Sequence, residues 1–120
     1  MATQLTDTDR VLDHHLQTLG AGDLGGVMDD YTEESILVGP EGSMKGREAI
    51  RSFFDALISG LFKPGTYQLT LDRRHVEGDV AYILWHARCA GMDIDFASDT
   101  FLIRGGKIAV QTFAPRMTPR

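Results

Sequence analysis

The sequence predicts an α+β fold: a cone-shaped, strongly curved antiparallel sheet with three N-terminal helices enclosing a pocket. Three observations predict it. Apolar residues recur at helical spacing in the first half of the chain and at period two from about Thr66 onward. Helices come first and consecutive strands second, the order of helices packed on one face of a meander. The strands also read as about 11 residues long, which at roughly 3.3 Å per residue would overrun a small domain if they were flat. They should therefore curl, and a curved sheet closed by helices can enclose a small-molecule cavity.

Thr6 or Asp7 can cap a first helix running to about Leu19, with Val11, Leu12, His15, Leu16 and Leu19 on its apolar side. His14, about 100° around the helix, should point to solvent. Gly20 and Gly22 stop this helix, and Asp23 can cap a short second one through Tyr31. Ser35 to Val38 reads as a strand, Gly39-Pro40-Glu41-Gly42 as an exposed turn and Ser43 to Lys45 as a short return. A third helix spans about Arg47 to Ser59, with Ala49, Ile50, Phe53, Phe54 and Leu57 as its buried stripe. After Lys63-Pro64-Gly65, four strands follow: Thr66 to Val76, Val80 to Ala90, Ile94 to Arg104 and Lys107 to Ala114. Glu77-Gly78-Asp79, Gly91-Met92-Asp93 and Gly105-Gly106 mark the turns between them.

A chain of 120 residues suits a single domain, here residues 1–120. Its net charge of −5 and pI near 5.2 offer no basic patch to collect phosphates, so nucleic acid is not an expected partner. Nothing approaches the roughly 20 apolar residues of a membrane span, and Met1 to Arg10 lacks the apolar core of a signal peptide. The single Cys89 cannot form an internal disulfide and reads as a small core residue. A cytoplasmic protein is expected. The four histidines and one cysteine show no metal-ligand spacing, the glycines punctuate turns singly, and no nucleophile motif is present. Neither a metal nor a cofactor is expected, which leaves cofactor-free proton chemistry or plain binding.

One carboxylate stands inside an otherwise apolar strand. Alternation along Ile94 to Arg104 puts Asp95, Ala97, Asp99, Phe101 and Ile103 on one face. If Asp99 lies inward, burial should raise its pKa and favour the neutral acid, which can donate to a ligand carbonyl; alternatively, it satisfies backbone or hydroxyl donors where the sheet bends. Asp95, roughly 13 Å away at about 3.3 Å per residue, should lie near the rim. On Val80 to Ala90, alternation separates Tyr82, Leu84, His86 and Arg88 from Ala81, Ile83, Trp85, Ala87 and Cys89. Hydrophobicity favours the Trp85 face as the one packed by helices, leaving His86 at an interface or in solvent.

Asp99-Thr100-Phe101 before the Gly105-Gly106-Lys107-Ile108 turn is preceded by Gly22-Asp23-Leu24, by Tyr31 to Val38 closing on Gly39-Pro40-Glu41-Gly42, and by Gly46-Arg47-Glu48-Ala49-Ile50-Arg51-Ser52-Phe53-Phe54. In that order these segments resemble the nuclear-transport-factor-2-like superfamily, which includes ketosteroid isomerases and SnoaL-like polyketide cyclases. The resemblance runs from about Thr6 to Phe113 and implies the same curved sheet around long helices. It implies Asp99, His15 and His86 as catalytic candidates: Asp99 as a neutral acid, His15 where the isomerases place the tyrosine that donates to the oxyanion, and His86 inward to meet Asp99 or Gln111. Tyr31, Phe53, Phe54, Trp85, Gln111 and Phe113 are the expected ligand-binding residues. The sequence departs from the isomerases at Gly39, which aligns with their proton-shuttling carboxylate and has no side chain to act as a base. Glu41 is two residues on, in the exposed turn.

The expectation is a cofactor-independent protein that binds, or isomerises or cyclises, a small apolar carbonyl compound in the cone. The alternative is a noncatalytic dimerisation or protein-association module of the same fold. Both imply a homodimer through the sheet.

Overall fold

Helix α1 (Asp7–Gly20) starts at a reciprocal cap: the Thr6 hydroxyl accepts the Asp9 backbone N–H at 3.1 Å, and the Asp9 carboxylate accepts the Thr6 N–H at 3.4 Å. The computed structural model describes residues 6–120; residues 1–5, part of the stretch read for a signal peptide, lie outside the described residues. Val11, Leu12 and His15 form the buried face of α1, with Leu16 and Leu19 half-buried. Helix α2 (Leu24–Met28) is capped by Asp23, whose carboxylate accepts the Gly26 N–H at 2.9 Å. It is shorter than expected. The Asp30 carbonyl accepts the Ile108 N–H at 2.7 Å, which draws the chain into the sheet, and Tyr31 already begins β1 (Tyr31–Gly39).

Strand β2 (Gly42–Lys45) returns beside β1 and leads through Gly46, at φ 89°, into α3 (Arg47–Ser59). The Arg47 guanidinium donates to the carbonyls of Met28 at 2.6 Å and Tyr31 at 3.0 Å, tying the start of α3 to the α2–β1 junction. Ile50 and Phe54 are fully buried on α3, while Phe53 and Leu57 are half-buried. The meander follows as β3 (Gln68–Glu77), β4 (Val80–Cys89), β5 (Met92–Arg104) and β6 (Lys107–Pro119).

The strands form one six-stranded sheet in the order β2-β1-β6-β5-β4-β3. It is curved but not closed. The expected wholly antiparallel sheet is corrected to a mixed one, because β1 lies parallel to β6, with Leu37 opposite Gln111. Strand β6 also continues five residues past Ala114, as Met92, Asp93 and Ile94 pair with Pro119, Thr118 and Met117.

A bulge on β5 changes the expected face pattern. Ile94 lies opposite Ala87 and Ala97 opposite Trp85, so β5 spends one residue more than β4 between these pairs. Asp95 is thereby turned off the concave face, and its carboxylate accepts from the exposed Thr118 hydroxyl at 2.6 Å. Beyond the bulge Ala97, Asp99, Phe101 and Ile103 point into the core, where Tyr31, Phe54, Phe101 and Leu12 are the largest fully buried side chains. Burial of side chains this size, at about 1.5–3 kcal/mol each, holds α1 and α3 on the sheet around Asp99.

Candidate functional site

Strand β4 fixes which side chains can meet Asp99. Trp85 points inward and is 5% exposed, and its indole N–H donates to Asp99 Oδ1 at 2.8 Å. His86 therefore points outward, with Nδ1 2.7 Å from Asp72 Oδ2 in a solvent-accessible pair. The inward placement of His86 implied by the resemblance is corrected: it meets neither Asp99 nor Gln111. The apolar area of the indole decides the parity, since turning His86 inward would expose Trp85 together with Ile83 and Ala87.

Gln111 arrives from β6 and completes a buried chain. Its Nε2 donates to Asp99 Oδ2 at 2.9 Å, and its Oε1 accepts from the Tyr31 hydroxyl. Asp99 thus holds one side-chain donor on each oxygen, from the strands on either side of it, rather than backbone or hydroxyl donors. Burial pushes its pKa up to about 6, and the Trp85 and Gln111 hydrogen bonds oppose that rise. At neutral pH it is mainly a carboxylate acceptor; below about 6 it becomes the neutral acid. Burial, reinforced by the negative charges of Asp99 and Asp30, holds the Tyr31 phenol well above its ordinary range, so Tyr31 acts as a donor.

His15 on α1 faces this chain from the helix side. It is 2% exposed, and its ring meets Phe101 at 5.3 Å, Phe54 at 5.7 Å and Tyr31 at 6.2 Å in edge-on contacts. Burial, with a smaller contribution from His14, lowers its pKa to about 4, so the imidazole is neutral at physiological pH. Its Nδ1 is buried without a hydrogen-bond partner. Neighbouring His14 is not simply solvated as expected: its Nδ1 lies 2.8 Å from the Asp30 carboxylate.

The polar cluster sits behind an apolar chamber. A cavity of about 350 Å³ opens between the β1–β2 turn, α3 and the ends of β5 and β6, with Met44, Leu57, Leu61 and Met117 in its wall. Phe53 and Phe113, 6.2 Å apart, line both this cavity and a space of about 30 Å³ beside His15, Asp99 and Gln111. Phe113 also stacks on Trp85, at 6.4 Å and 10° between planes. Phe54 reaches the inner space and packs between His15 and Tyr31. The structure thus brings together His15, Tyr31, Phe53, Phe54, Trp85, Asp99, Gln111 and Phe113, and leaves out His86. Gly39 and exposed Glu41 line the 350 Å³ cavity, and a Cβ at Gly39 would meet only Phe113, at 3.7 Å or more.

Two wall residues, Phe62 and Leu57, are not among the expected ligand-binding residues, although Leu57 is expected on the buried stripe of α3. Phe62, buried in the connection after α3, lines both spaces and packs edge-on against Trp85 at 5.8 Å. Leu57 shares both spaces as well. The signal for Phe62 was the apolar pair Leu61-Phe62 just before the Lys63-Pro64-Gly65 turn. Among the described residues no group of three His, Cys, Asp or Glu side chains could hold a metal ion, and no helix is long and apolar enough to cross a membrane. Cys89 is buried, and that burial raises its thiol pKa, which disfavours the nucleophilic thiolate.

A family model described as SnoaL-like domain matches residues 12–111. No curated protein matches the chain. Among solved structures, an NTF2-like protein of unknown function from Cytophaga hutchinsonii superposes with a TM-score of 0.75 at 17% identity, covering 97% of this chain and 95% of that one. An LEH-like epoxide hydrolase of M. tuberculosis gives 0.74 at 10% identity over 92% and 83%. A de novo designed protein with a curved β-sheet gives 0.77 at 13% identity over 95% and 88%. At these identities the likenesses concern the fold, which a designed chain shares with an enzyme.

Proposed function

We propose that this chain, which belongs to the SnoaL-like domain family, is a cofactor-independent cytoplasmic protein that takes up a small, mostly apolar carbonyl compound in the cone. The observation that carries this reading is the buried His15, whose Nδ1 has no hydrogen-bond partner, in the wall of a small space that shares Phe53 and Phe113 with the apolar cavity. A buried polar atom left without a partner costs about 1–3 kcal/mol, and a ligand oxygen held there would remove that penalty. Neutral His15 would donate to the carbonyl. Asp99, held by Trp85 and Gln111, keeps a negative charge beside it at neutral pH.

Uptake is the first step of this reading. Where isomerases of the superfamily carry their proton-shuttling carboxylate this chain has Gly39, and His86 points away from the cone, so any proton transfer would have to use neutral His15, with a pKa of about 4, or Asp99, with a pKa of about 6. The test is a thermal-shift panel of planar apolar ketones, lactones and aromatic acids on the wild type and on His15→Phe. A dose-dependent rise in melting temperature for ketones, about 2.7 kcal/mol at a hundredfold excess over Kd, reduced in His15→Phe, supports the reading. A flat response to every compound contradicts it.

A second reading, a noncatalytic dimerisation or association module, is favoured by the convex face of the sheet. Phe96 and Val80 stand 48% and 42% exposed there, with half-buried Leu84, Leu102 and Val110 on the same face. Such a surface suits a homodimer formed sheet to sheet. Light scattering on the wild type and on Phe96→Glu separates the cases: the association reading expects a dimer that the substitution dissociates.

A further inference from the structure

The polar centre adjoins a second opening. Past His15 and Asp99 lies another small space of about 40 Å³, walled by Leu16, Leu19, Leu69 and Leu71, and the same four leucines line a groove of about 420 Å³ between α1 and β3. No residue lines both this groove and the 350 Å³ cavity. The two therefore reach the polar centre from different sides.

The groove exists because α1 covers β3 at one end only. Leu69 lies opposite Ala87 and Leu71 opposite Trp85, so both leucines share the concave face with buried residues, yet they stand 37% and 39% exposed. Towards the start of α1 the seam is shut: Arg74 donates to Asp13 at 2.6 Å and to Asp9 at 3.3 Å, and the Thr8 hydroxyl donates to the Gly78 carbonyl at 2.7 Å. Towards its end, at Leu16, Leu19 and Gly20, the seam gapes.

The two small spaces between the openings have room for little more than a water-sized group each. They admit a carbonyl and its flanking methylenes, not a ring. The geometry points to a ligand whose polar group is internal, a ketone or similar compound with an apolar arm on each side, one arm in the α3-side cavity and the other in the α1–β3 groove. This assignment rests on the uptake reading above and adds the shape of the compound to it.

Calorimetric titration with 1,3-diphenylpropan-2-one, which has two arms, and 1-phenylpropan-2-one, which has one, tests it. Burying the second ring predicts about tenfold or tighter binding of the two-armed ketone. Leu71→Trp, which fills the groove and also borders the 40 Å³ space, should weaken the two-armed ketone about tenfold more than the one-armed ketone. Gly20→Phe provides a second variant: a Cβ there meets nothing within 4 Å, so it can crowd the groove without touching the inner spaces. Equal affinity for the two ketones, or equal weakening of both in these variants, overturns the two-armed assignment while leaving uptake intact. Binding of neither ketone overturns the uptake reading on which it rests.

Discussion

Trp85 and Asp99 sit diagonally across β4 and β5, and the indole N–H of one is bonded to a carboxylate oxygen of the other at 2.8 Å. Trp85 is the only tryptophan in the chain, so its fluorescence reports the charge of Asp99 directly. A single titration step near pH 6 is expected, where burial has moved the Asp99 carboxyl, and Asp99→Asn should abolish it. His86→Ala should leave the step in place, because His86 lies on the opposite face of β4. A step that vanished in His86→Ala but survived in Asp99→Asn would reverse this assignment.

Asp99 and His15 make opposite demands on pH. Asp99 has a folded pKa of about 6 against an ordinary 3.8, so its contribution to stability is complete at low pH and is lost as pH rises from about 4 to 6. His15 has a folded pKa of about 4 against 6.5, so its contribution is complete above 6.5 and is lost as pH falls towards 4. Each slope amounts to roughly 3 kcal/mol at about 1.4 kcal/mol per pH unit, and over pH 4–6 they largely cancel. Relative to wild type, Asp99→Asn should lose stability as pH falls from 6.5 to 4, and His15→Phe should gain it. Urea unfolding across that range checks both signs; parallel wild-type and variant profiles would contradict them.

Gln111 couples Tyr31 to Asp99, and substitutions at Tyr31 and at Gln111 should have different effects. Tyr31→Phe leaves Gln111 Oε1 buried without its donor and should cost about 1–3 kcal/mol of stability, with little change in the Trp85 titration. Gln111→Leu removes a hydrogen bond that lowers the Asp99 pKa, so the fluorescence midpoint should move above 6. An unmoved midpoint would show that the Gln111 contact to Asp99 does not form in solution.

Much of this arrangement was legible in the sequence because it depends on local period. The helical stripe of α1 placed His15 inward, and the Trp85-containing face of β4 was the more apolar, which is the face the structure buries. Asp99, lodged between Ala97 and Phe101, could only be a buried acid or a bend. What the sequence did not show depends on pairing between distant strands. The parallel contact of β1 with β6, which brings Tyr31 to Gln111, has no local signal. Neither has the β5 bulge, which removes Asp95 from the face that alternation assigned to it. The uncovered leucines of β3 were invisible for a related reason, since their exposure depends on how far α1 reaches across the sheet.

Carbon-13 NMR of 1,3-diphenylpropan-2-one labelled at its carbonyl tests most directly whether a ligand oxygen meets His15 in the cone. A ketone carbonyl resonance moves upfield when the group leaves water for an apolar site without a donor, and it stays at its aqueous position or moves downfield when a donor holds it. The bound resonance is expected at or downfield of its position in water for the wild type, and upfield of it in His15→Phe. A bound wild-type resonance already at the hydrocarbon position, unchanged in His15→Phe, would contradict a carbonyl held at the polar centre.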